Sequence, residues 1–474
     1  MSPVAREHLG NWARCLGIAN VCLIRIWTDL LAYPVWPLHR DYDPPQVEHY
    51  ASAMALTLLL GTSIWLALRL NSQMWVRAGL AAFVTVLAVK ETFLAVTGLG
   101  VLTRASILRP LPLVLLGLAS VLVMAILKRH TWQRTIVLTG KLAAALIPLT
   151  LLTFGQSLVR CTAIPPPSVR RFDTEAKAGP RPRRRVVWII LDELDERVAF
   201  THPRKGVRLP ELERYRREAD FVGLNARSPA NATVVSLPAL LGYTTELDAG
   251  DSVFGQVRRM GKRSAIAGWA IPYCHVFRNW TDACAWWPMP QQHNSLPTSG
   301  VPAMAASMLI SLFETNQLSP FGQSQSVQRF ARMVEEATAE GARLAARPDL
   351  DFVFLHLPPP HNPYAFNPAT GKIDKAIIRF PNPEGYFNNL LLADQVFGRI
   401  RRAMERSGVW RNSLVLVTAD HGVRSGVPLG YPPDDQHVPF MIKSPDGFPM
   451  DPNAPLATER TGQLLLNWLQ RPGS

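Results

Sequence analysis

The segment VVWIILDE, residues 186–193, decides the fold of the second half of the chain, because a continuous apolar run ends there in two acidic side chains. Such a run is typical of a strand that is buried on both faces. Similar runs occur at residues 351–357 and 413–418. Helical patterns separate them, at residues 209–220, 323–347 and 384–407. Strands that alternate with helices predict an α/β domain with a mostly parallel sheet sandwiched by helices.

Polar side chains follow two of these predicted strands. Asp192 and Glu193 come directly after the first run, and Asp420 and His421 follow the last one in a DHG turn. In parallel sheets ligands gather at the carboxyl ends of the strands, and carboxylates with an imidazole are good ligands for a divalent metal. An acid pair after a strand also occurs as a helix cap, but two clusters in one domain favour a metal site.

A hydroxyl group in the segment NATVVSLP, residues 231–238, is a candidate nucleophile. The hydroxyl of Thr233 becomes nucleophilic if a metal lowers its pKa and holds it in line with the reacting group. A hydroxyl beside a helix start more often acts as an N-cap. This segment alone leaves both interpretations open.

Two histidine motifs complete the set, HLPPPHNPY at residues 356–364 and QHVPF at residues 436–440. A neutral imidazole there would bind a second metal, and a protonated one would donate a hydrogen bond to a phosphate oxygen. A structural role is the third possibility for each of these histidines.

The first third of the chain contains five apolar segments, each of about the length that crosses a bilayer as a helix. They are residues 15–33, 51–68, 78–99, 111–127 and 142–159. The distribution of basic residues in the short loops places the N-terminus in the cytoplasm. Five spans then predict an N-terminal α-helical transmembrane bundle, with the second half of the chain outside the membrane.

The net charge of +14 is unevenly distributed along the chain. Residues 1–160 carry +8, residues 161–185 carry +5 and residues 186–474 carry only +1. A nucleic-acid-binding protein would spread basic side chains over its folded surface, so we exclude nucleic acid as a partner. The charge fits the surface of an anionic membrane instead.

These patterns predict three parts of the chain. Residues 1–159 form a transmembrane module, residues 160–185 a linker rich in Pro and Arg, and residues 186–474 an extracytoplasmic catalytic domain. Cys274 and Cys284 lie ten positions apart in a stretch that resembles a loop. An oxidising compartment would let them pair, but the sequence does not decide whether they do.

The motifs together resemble the alkaline phosphatase superfamily, and most closely the membrane-anchored phosphoethanolamine transferases and lipoteichoic acid synthases, which are relatives of the sulfatases. In those transferases an acidic residue, a Thr nucleophile and the Asp-His of DHG bind the catalytic metal. Carried over by motif, the resemblance implies a metal site made by Glu193, Thr233, Asp420 and His421. The sulfatases use an acid pair after the first strand, which implies that Asp192 shares the metal.

The same resemblance implies catalytic roles for two histidines. His361 in HNPY is similar to the histidine of the family's HGPxY motif, and His437 in HVPF is similar to the histidine that follows DHG. The implied cofactor is a divalent metal, zinc or manganese.

The implied activity is transfer of a phosphoryl-alcohol group, such as phosphoethanolamine, from a membrane lipid donor to a lipid or glycan acceptor, with Thr233 as the nucleophile. The implied location is a bacterial inner membrane, with the catalytic domain in the periplasm. A membrane-bound phosphodiesterase or sulfatase-type hydrolase is the alternative. The formylglycine motif of true sulfatases, (C/S)xPxR, is incomplete here, because Leu240 stands where Arg is required. A non-catalytic envelope assembly protein is the alternative from another class.

Overall fold

The structure is a computed structural model that describes most of the chain. The residues it describes are 2–31, 45–70, 73–97, 144–162, 170–174, 184–244, 246–288, 300–313, 322–373, 383–423 and 436–471. They fall into two compact units. The N-terminal unit comprises Met1–Trp36, Pro44–Pro167 and Gln291–Gln323. The C-terminal unit comprises Pro37–Asp43, Ser168–Pro290 and Ser324–Ser474.

The helices and strands are labelled here in chain order. The helices are α1 (Pro3–Cys22), α2 (Ile24–Leu31), α3 (Val47–Leu70), α4 (Met74–Thr97), α5 (Ile147–Thr162), α6 (Pro210–Glu218), α7 (Thr233–Leu241), α8 (Val253–Arg259), α9 (Tyr273–Val276), α10 (Val301–Phe313), α11 (Gly322–Ala345), α12 (Pro383–Arg406) and α13 (Thr461–Gln470). The strands are β1 (Arg171–Asp173), β2 (Arg185–Leu191), β3 (Phe221–Val222), β4 (Ala226–Arg227), β5 (Ser264–Trp269), β6 (Ala283–Trp287), β7 (Phe352–Leu357), β8 (Phe366–Asn367), β9 (Lys372–Ile373), β10 (Ser413–Thr418), β11 (Phe440–Lys443) and β12 (Leu456–Ala457).

The N-terminal unit is helical, but its described residues do not confirm the five-span bundle. Among them, α3 alone is long and apolar enough to cross a membrane. The first predicted span is divided between α1 and α2, which are separated at Leu23. The third and fifth predicted spans, 78–99 and 142–159, overlap with α4 and α5 without sharing their bounds. The fourth predicted span, 111–127, lies outside the described residues.

Helix α10 belongs to the N-terminal unit although it comes from the second half of the chain. Its side chains Met304, Met308 and Leu312 recur every four residues, so they share one helical face, and all three are buried in the core of that unit. The hydroxyl of Ser52 on α3 donates a 3.1 Å hydrogen bond to the carbonyl of Val301 at the start of α10. The N-terminal unit is therefore built from two distant parts of the sequence.

The C-terminal unit contains the predicted α/β sheet. Its eight strands run in the order β1-β6-β5-β7-β2-β10-β11-β3. The five strands from β6 to β10 are parallel, and antiparallel pairs occur at both edges. Every residue of β2, β7 and β10 is buried, as their apolar runs predict. The mostly parallel α/β fold is thus confirmed.

The sequence analysis did not predict the edge strands β1, β11 and β3, nor the two parallel strands β5 and β6. The sequences of β5 (SAIAGW) and β6 (ACAWW) are rich in small residues and give no long apolar run. Cys284 lies in β6 and Cys274 in the short helix α9, and the two form a disulfide. The two ends of the stretch that resembles a loop therefore lie in secondary structure, and residues 277–282 between them form neither helix nor strand.

Candidate metal centre

The candidate site lies where three neighbouring strands end. Strand β2 pairs in parallel with β7 on one side and with β10 on the other. Their carboxyl ends therefore meet at one edge of the sheet, where Asp192 follows β2, His361 follows β7 and Asp420 follows β10. Parallel α/β sheets bind their ligands at this edge.

Three of the predicted metal ligands lie together at this edge. Asp192, Asp420 and His421 each offer one ligand atom, and these atoms all lie within 4.8 Å of one another. The Nε2 atom of His421 is 3.5 Å from Oδ2 of Asp420 and 4.0 Å from Oδ1 of Asp192. All three side chains are fully buried. Carboxylates packed this closely repel one another unless a cation or a proton lies between them.

The tautomer of His421 suits metal binding. Its Nδ1 atom lies 2.8 Å from the carbonyl oxygen of Gly422, so Nδ1 carries the proton and donates it to that carbonyl. In a neutral imidazole the Nε2 atom is then the one with a lone pair. That lone pair faces the two carboxylates. A backbone carbonyl that fixes a ligand imidazole in this way is usual around protein-bound metals.

The hydroxyl of Thr233 points at the same group. Its Oγ1 atom is 3.3 Å from Nε2 of His421, and the side chain is 2% exposed. Thr233 is the first residue of α7, and the N-cap is Ala232, which makes no side-chain cap. The N-cap interpretation of Thr233 is therefore wrong. The partial positive charge at a helix N-terminus favours an anionic oxygen at this place.

Glu193 lies beside the group but faces a histidine. Its Oε1 atom is 3.8 Å from Nε2 of His361, and its backbone N–H donates to Oδ1 of Asp420. Its φ of 64° lies in the left-handed region, which costs a residue with a side chain roughly 1–2 kcal/mol. The hydroxyl of Tyr386 donates a 2.6 Å hydrogen bond to the carbonyl of Glu193, which holds this backbone in place. Burial raises the pKa of Tyr386 well above its usual value, so the hydroxyl keeps its proton.

The loop that carries His361 is held by one amide. The side-chain nitrogen of Asn389 lies 2.9 Å from the carbonyl of His361, and 3.3 and 3.2 Å from the carbonyls of Pro360 and Pro363. The Nδ1 atom of His361 donates to the carbonyl of Asn362 at 2.7 Å, so Nε2 has the lone pair. Proline and this amide together keep the imidazole at the strand ends.

His437 is placed differently from the other predicted residues. Its side chain is half-buried, and its Nε2 atom lies 3.0 Å from the carbonyl oxygen of Leu224. Its backbone forms an isolated bridge with Arg227. Among the described residues, the group of metal-ligating atoms contains neither His437 nor His361. The catalytic role of His437 stays a prediction.

The charge on Asp192 is supported by its neighbours. Burial alone would raise the pKa of Asp192, but the positive charge that the neighbouring imidazoles carry when protonated, together with the hydrogen bond from His356, holds that pKa below its usual range. These imidazoles belong to His361, His356 and His421. The carboxylate is therefore ionised, which is the form that binds a metal.

The donor atoms of the site fit a divalent metal. At this site three buried atoms have no hydrogen-bond partner among the described residues: Oδ1 of Asp192, Oδ2 of Asp420 and Nε2 of His361. Buried polar atoms without a partner are rare and need an explanation, such as an ion. Two carboxylates with an imidazole are ligands that suit zinc and manganese alike. The residues present therefore fit the predicted cofactor without selecting one metal.

Several supporting residues were not predicted from the sequence. Ser228 contacts the backbone carbonyl of Asp420, and its Oγ atom lies 3.1 Å from the hydroxyl of Ser236. Tyr386 and Asn389 hold the backbone at Glu193 and His361 from one face of α12. Each acts across more than 25 positions of sequence, so no local motif indicates it.

The family comparison agrees with this geometry. Residues 292–462 match the family model described as Sulfatase. The matched segment contains His361, Asp420, His421 and His437, whereas Asp192, Glu193 and Thr233 lie before it. The predicted resemblance to the sulfatases of the alkaline phosphatase superfamily is confirmed, and so is the prediction of a sulfatase-like enzyme. No significant match to the sequence is found among curated proteins.

Solved structures of low identity are also similar to this chain. A putative sulfatase from Bacteroides thetaiotaomicron is 11% identical, with 60% of this chain and 71% of that chain covered and a TM-score of 0.40. The phosphonate monoester hydrolase of Agrobacterium radiobacter is 14% identical, with 60% and 73% covered and a TM-score of 0.37.

Proposed function

We propose that this sulfatase-like chain is a metal-dependent transferase that moves a phosphoryl-alcohol group, such as phosphoethanolamine, from a membrane lipid to an envelope lipid or glycan. The observation that carries the proposal is the position of Thr233. Its hydroxyl lies at a helix N-terminus, 3.3 Å from Nε2 of His421, and the ligand atom of His421 lies within 4.8 Å of those of Asp192 and Asp420. A hydroxyl in that position is a nucleophile held next to the cation that would activate it.

The reaction has two displacements at phosphorus. In the first, Oγ1 of Thr233 forms a bond to the phosphorus of the donor, the bond to the lipid alcohol breaks, and that alcohol leaves with a proton. In the second, a hydroxyl oxygen of the acceptor attacks the phospho-threonine, and the bond between phosphorus and Oγ1 breaks. The acceptor proton passes to a base at the site, for which Nε2 of His361 is a candidate because it bears a lone pair, and that proton then returns to Oγ1 to restore the Thr233 hydroxyl.

The strand-end residues would hold the metal. Asp192, Asp420 and His421 would supply ligands, and Glu193 and Thr233 would complete the set that the family resemblance implies. When bound, a divalent metal lowers the pKa of a nearby hydroxyl and neutralises charge on the transferred phosphoryl group. Thr233, already buried and placed by α7, needs no rearrangement to use that effect.

The likeness to sulfatases favours a second candidate, a hydrolase that uses water as the acceptor. The same site would serve, since only the second displacement changes. A true sulfatase fits less well. In addition to the Leu at position 240, Ser236 is fully buried, and its hydroxyl donates to the carbonyl of Ala230. A side chain engaged in this way does not suit conversion to the sulfatase nucleophile.

A lipid donor and an envelope location are supported by the rest of the chain. Helix α3 is long and apolar enough to cross a bilayer. The positive segment 161–185 would be attracted to anionic headgroups by about 1 kcal/mol per basic residue near the surface. The disulfide between Cys274 and Cys284 suits an oxidising compartment such as the periplasm. We therefore place the enzyme in a bacterial inner membrane, with the catalytic domain outside the cytoplasm.

The test is covalent capture on Thr233. The full chain is incubated with bacterial membranes, digested with trypsin, and the peptide that contains Thr233 is analysed by mass spectrometry. We expect an added phosphoryl-alcohol mass on Thr233 and loss of turnover in Thr233→Ala. Thr338→Ala is the matched control, because Thr338 is also buried and donates to a helix carbonyl at 2.6 Å. Full activity of Thr233→Ala would overturn the assignment.

A further inference from the structure

A chain of buried side chains connects the disulfide to the candidate metal site. It runs from Cys274 to the adjacent Tyr273, from Tyr273 to His356, and from His356 to Asp192. We propose that Tyr273 and His356 are positioning residues that fix the carboxylate of Asp192 for metal binding, and that the disulfide anchors them. This inference rests on the proposed function, since it takes Asp192 as a metal ligand.

The contact between His356 and Asp192 leaves one carboxylate oxygen for the metal. The Nε2 atom of His356 lies 3.2 Å from Oδ2 of Asp192, and both side chains are fully buried. An ionised carboxylate only accepts, so Nε2 carries the proton and donates it. The other oxygen, Oδ1, has no hydrogen-bond partner among the described residues and lies in the group with Asp420 and His421. The imidazole therefore holds one oxygen and leaves the second aimed at the site.

The hydroxyl of Tyr273 fixes the imidazole in turn. It lies 2.9 Å from Nδ1 of His356, and Tyr273 is fully buried. Because a neutral imidazole protonated at Nε2 accepts at Nδ1, the tyrosine hydroxyl donates here. One donor thus selects the tautomer in which His356 donates to Asp192. Histidine tautomers at metal sites are set by their outer hydrogen bonds in the same manner.

The ring of Tyr273 packs closely against a glycine in β5. Gly268 in β5 pairs with His356 across the sheet. A Cβ atom at Gly268 would lie 2.4 Å from a ring carbon of Tyr273. The ring therefore fills the space that a side chain at position 268 would take, and it reaches the imidazole on the neighbouring strand. Gly268→Ala would push the ring away from His356.

The disulfide holds the short helix that carries Tyr273. Helix α9 is only four residues long, too short to be stable by its own hydrogen bonds. Cys274, its second residue, is bonded to Cys284 in β6, so the helix is tied to the sheet. The ring of Tyr273 also packs against Phe277, at 6.4 Å between centroids. Loss of the disulfide removes the covalent part of this anchor.

The experiment measures metal affinity of the full chain in detergent, for Zn²⁺ and for Mn²⁺, by competition with a chromogenic chelator. Outer hydrogen-bond partners of metal ligands typically contribute about 10–100-fold in affinity. We expect a loss in that range for His356→Leu, about 10-fold for Tyr273→Phe, and a loss for the double variant Cys274→Ser/Cys284→Ser. His356→Gln keeps an N–H donor, and we expect it to regain most of the affinity.

Two comparisons separate positioning from general destabilisation. Tyr273→Phe should cause no further loss when combined with His356→Leu, because it acts only through the imidazole. Tyr215→Phe is the matched control: that tyrosine is also fully buried and donates to a sheet carbonyl, of Val415, at 2.6 Å. It should lower thermal stability without changing metal affinity.

The outcomes distinguish this inference from the function on which it rests. If the wild-type chain binds neither metal, the proposed function and this inference both fail. If the wild-type chain binds metal and both Tyr273→Phe and His356→Leu bind it equally tightly, this inference fails and the metal site stands. Tyr273→Phe removes a single oxygen. Unchanged metal affinity in that variant would therefore overturn this inference even if His356→Leu does not fold.

Discussion

Glu91 in the N-terminal unit and the strand-end carboxylates of Asp192 and Asp420 in the C-terminal unit are all fully buried, but different groups neutralise their charge. In the N-terminal unit, Glu91 is fully buried, 3.0 Å from Nε of Arg25 and 2.9 Å from Nζ of Lys90. The two cations also donate to carbonyls at the end of α10, those of Ser311 and Leu312. This cluster provides its own counter-charges.

In the C-terminal unit no Lys or Arg among the described residues forms a salt bridge with the strand-end carboxylates of Asp192 and Asp420. The partners of Asp192 are imidazoles, and Asp420 accepts from the backbone N–H of Glu193. One oxygen of each strand-end carboxylate has no hydrogen-bond partner among the described residues, whereas Oε1 of Glu91, which also accepts no hydrogen bond, lies 2.9 Å from the ammonium of Lys90. Burial alone therefore does not identify a functional acid. A carboxylate paired with Arg or Lys is structurally satisfied, whereas one left with an open oxygen is suited to bind a cation.

The largest effect should come from Asp420→Asn at the candidate metal centre. We expect metal affinity to fall by more than about 100-fold, beyond the range of outer-shell changes. The unfolding free energy of the metal-free protein should stay the same or rise, because one of the crowded charges is removed. Chelator competition measures the first effect, and thermal unfolding in EDTA measures the second. Glu459→Gln, an exposed site, is the control.

The substitution Glu91→Gln tests the buried carboxylate that is paired with Arg25 and Lys90. The change leaves Arg25 and Lys90, which are 18% and 15% exposed, without their carboxylate. Breaking a buried ion pair in this way costs about 3 kcal/mol of stability. Thermal unfolding of the full chain in detergent should show this loss, whereas Glu7→Gln on the exposed part of α1 should change little. If metal-free Asp420→Asn is destabilised as much as Glu91→Gln, the distinction between the ion-paired carboxylate and the strand-end carboxylate is wrong.

A smaller effect should come from Asp394, a carboxylate of α12 that is capped by backbone N–H groups. Its Oδ1 atom accepts from the N–H of Leu212 at 2.8 Å, and burial raises its pKa to about 6. The folded chain therefore holds a proton near pH 5 that the unfolded chain has released. Stability should fall as pH rises from about 4 to 7, by roughly 2–3 kcal/mol from this group.

The variant Asp394→Asn keeps the acceptor oxygen and removes the titration. Its unfolding free energy, measured by denaturant titration across this pH range, should be flatter than that of the wild type by the same amount. Parallel pH profiles of the two proteins would show that Asp394 does not hold a proton in the folded state. In that case Asp394 would not be an example of a buried carboxylate that is neutralised by a proton.

Much of the C-terminal unit was predictable because the sequence patterns that indicate it are local. The apolar runs of β2, β7 and β10 and the polar residues after them are continuous in sequence, and adjacency of the strands brings Asp192 and Asp420 together. The role of Thr233 was not decided by its segment, because a hydroxyl at a helix start serves equally well as a cap. Only the geometry shows that Ala232 is the cap residue and that the hydroxyl faces His421.

The supporting residues were not predictable from the sequence. Tyr273, Tyr386 and Asn389 act on the site through single hydrogen bonds to groups far along the chain. Nothing in their local sequence differs from that of an ordinary core residue. His356 stands in a motif that was noticed, yet the motif does not indicate that its imidazole lies behind Asp192. Such roles depend on register between strands, which apolar patterning does not fix for individual side chains.

Helix α10 is synthesised later than the other helices of the N-terminal unit. The N-terminal unit buries Met304 and Met308 in its core, yet the ribosome reaches them long after it has finished α5 at Thr162. At ~5–20 residues per second, this interval lasts roughly 7–28 s. During that time the earlier helices wait with an uncovered apolar face while β2, α7 and the disulfide segment emerge. We expect a chaperone or a lipid surface to shield that face until α10 is synthesised.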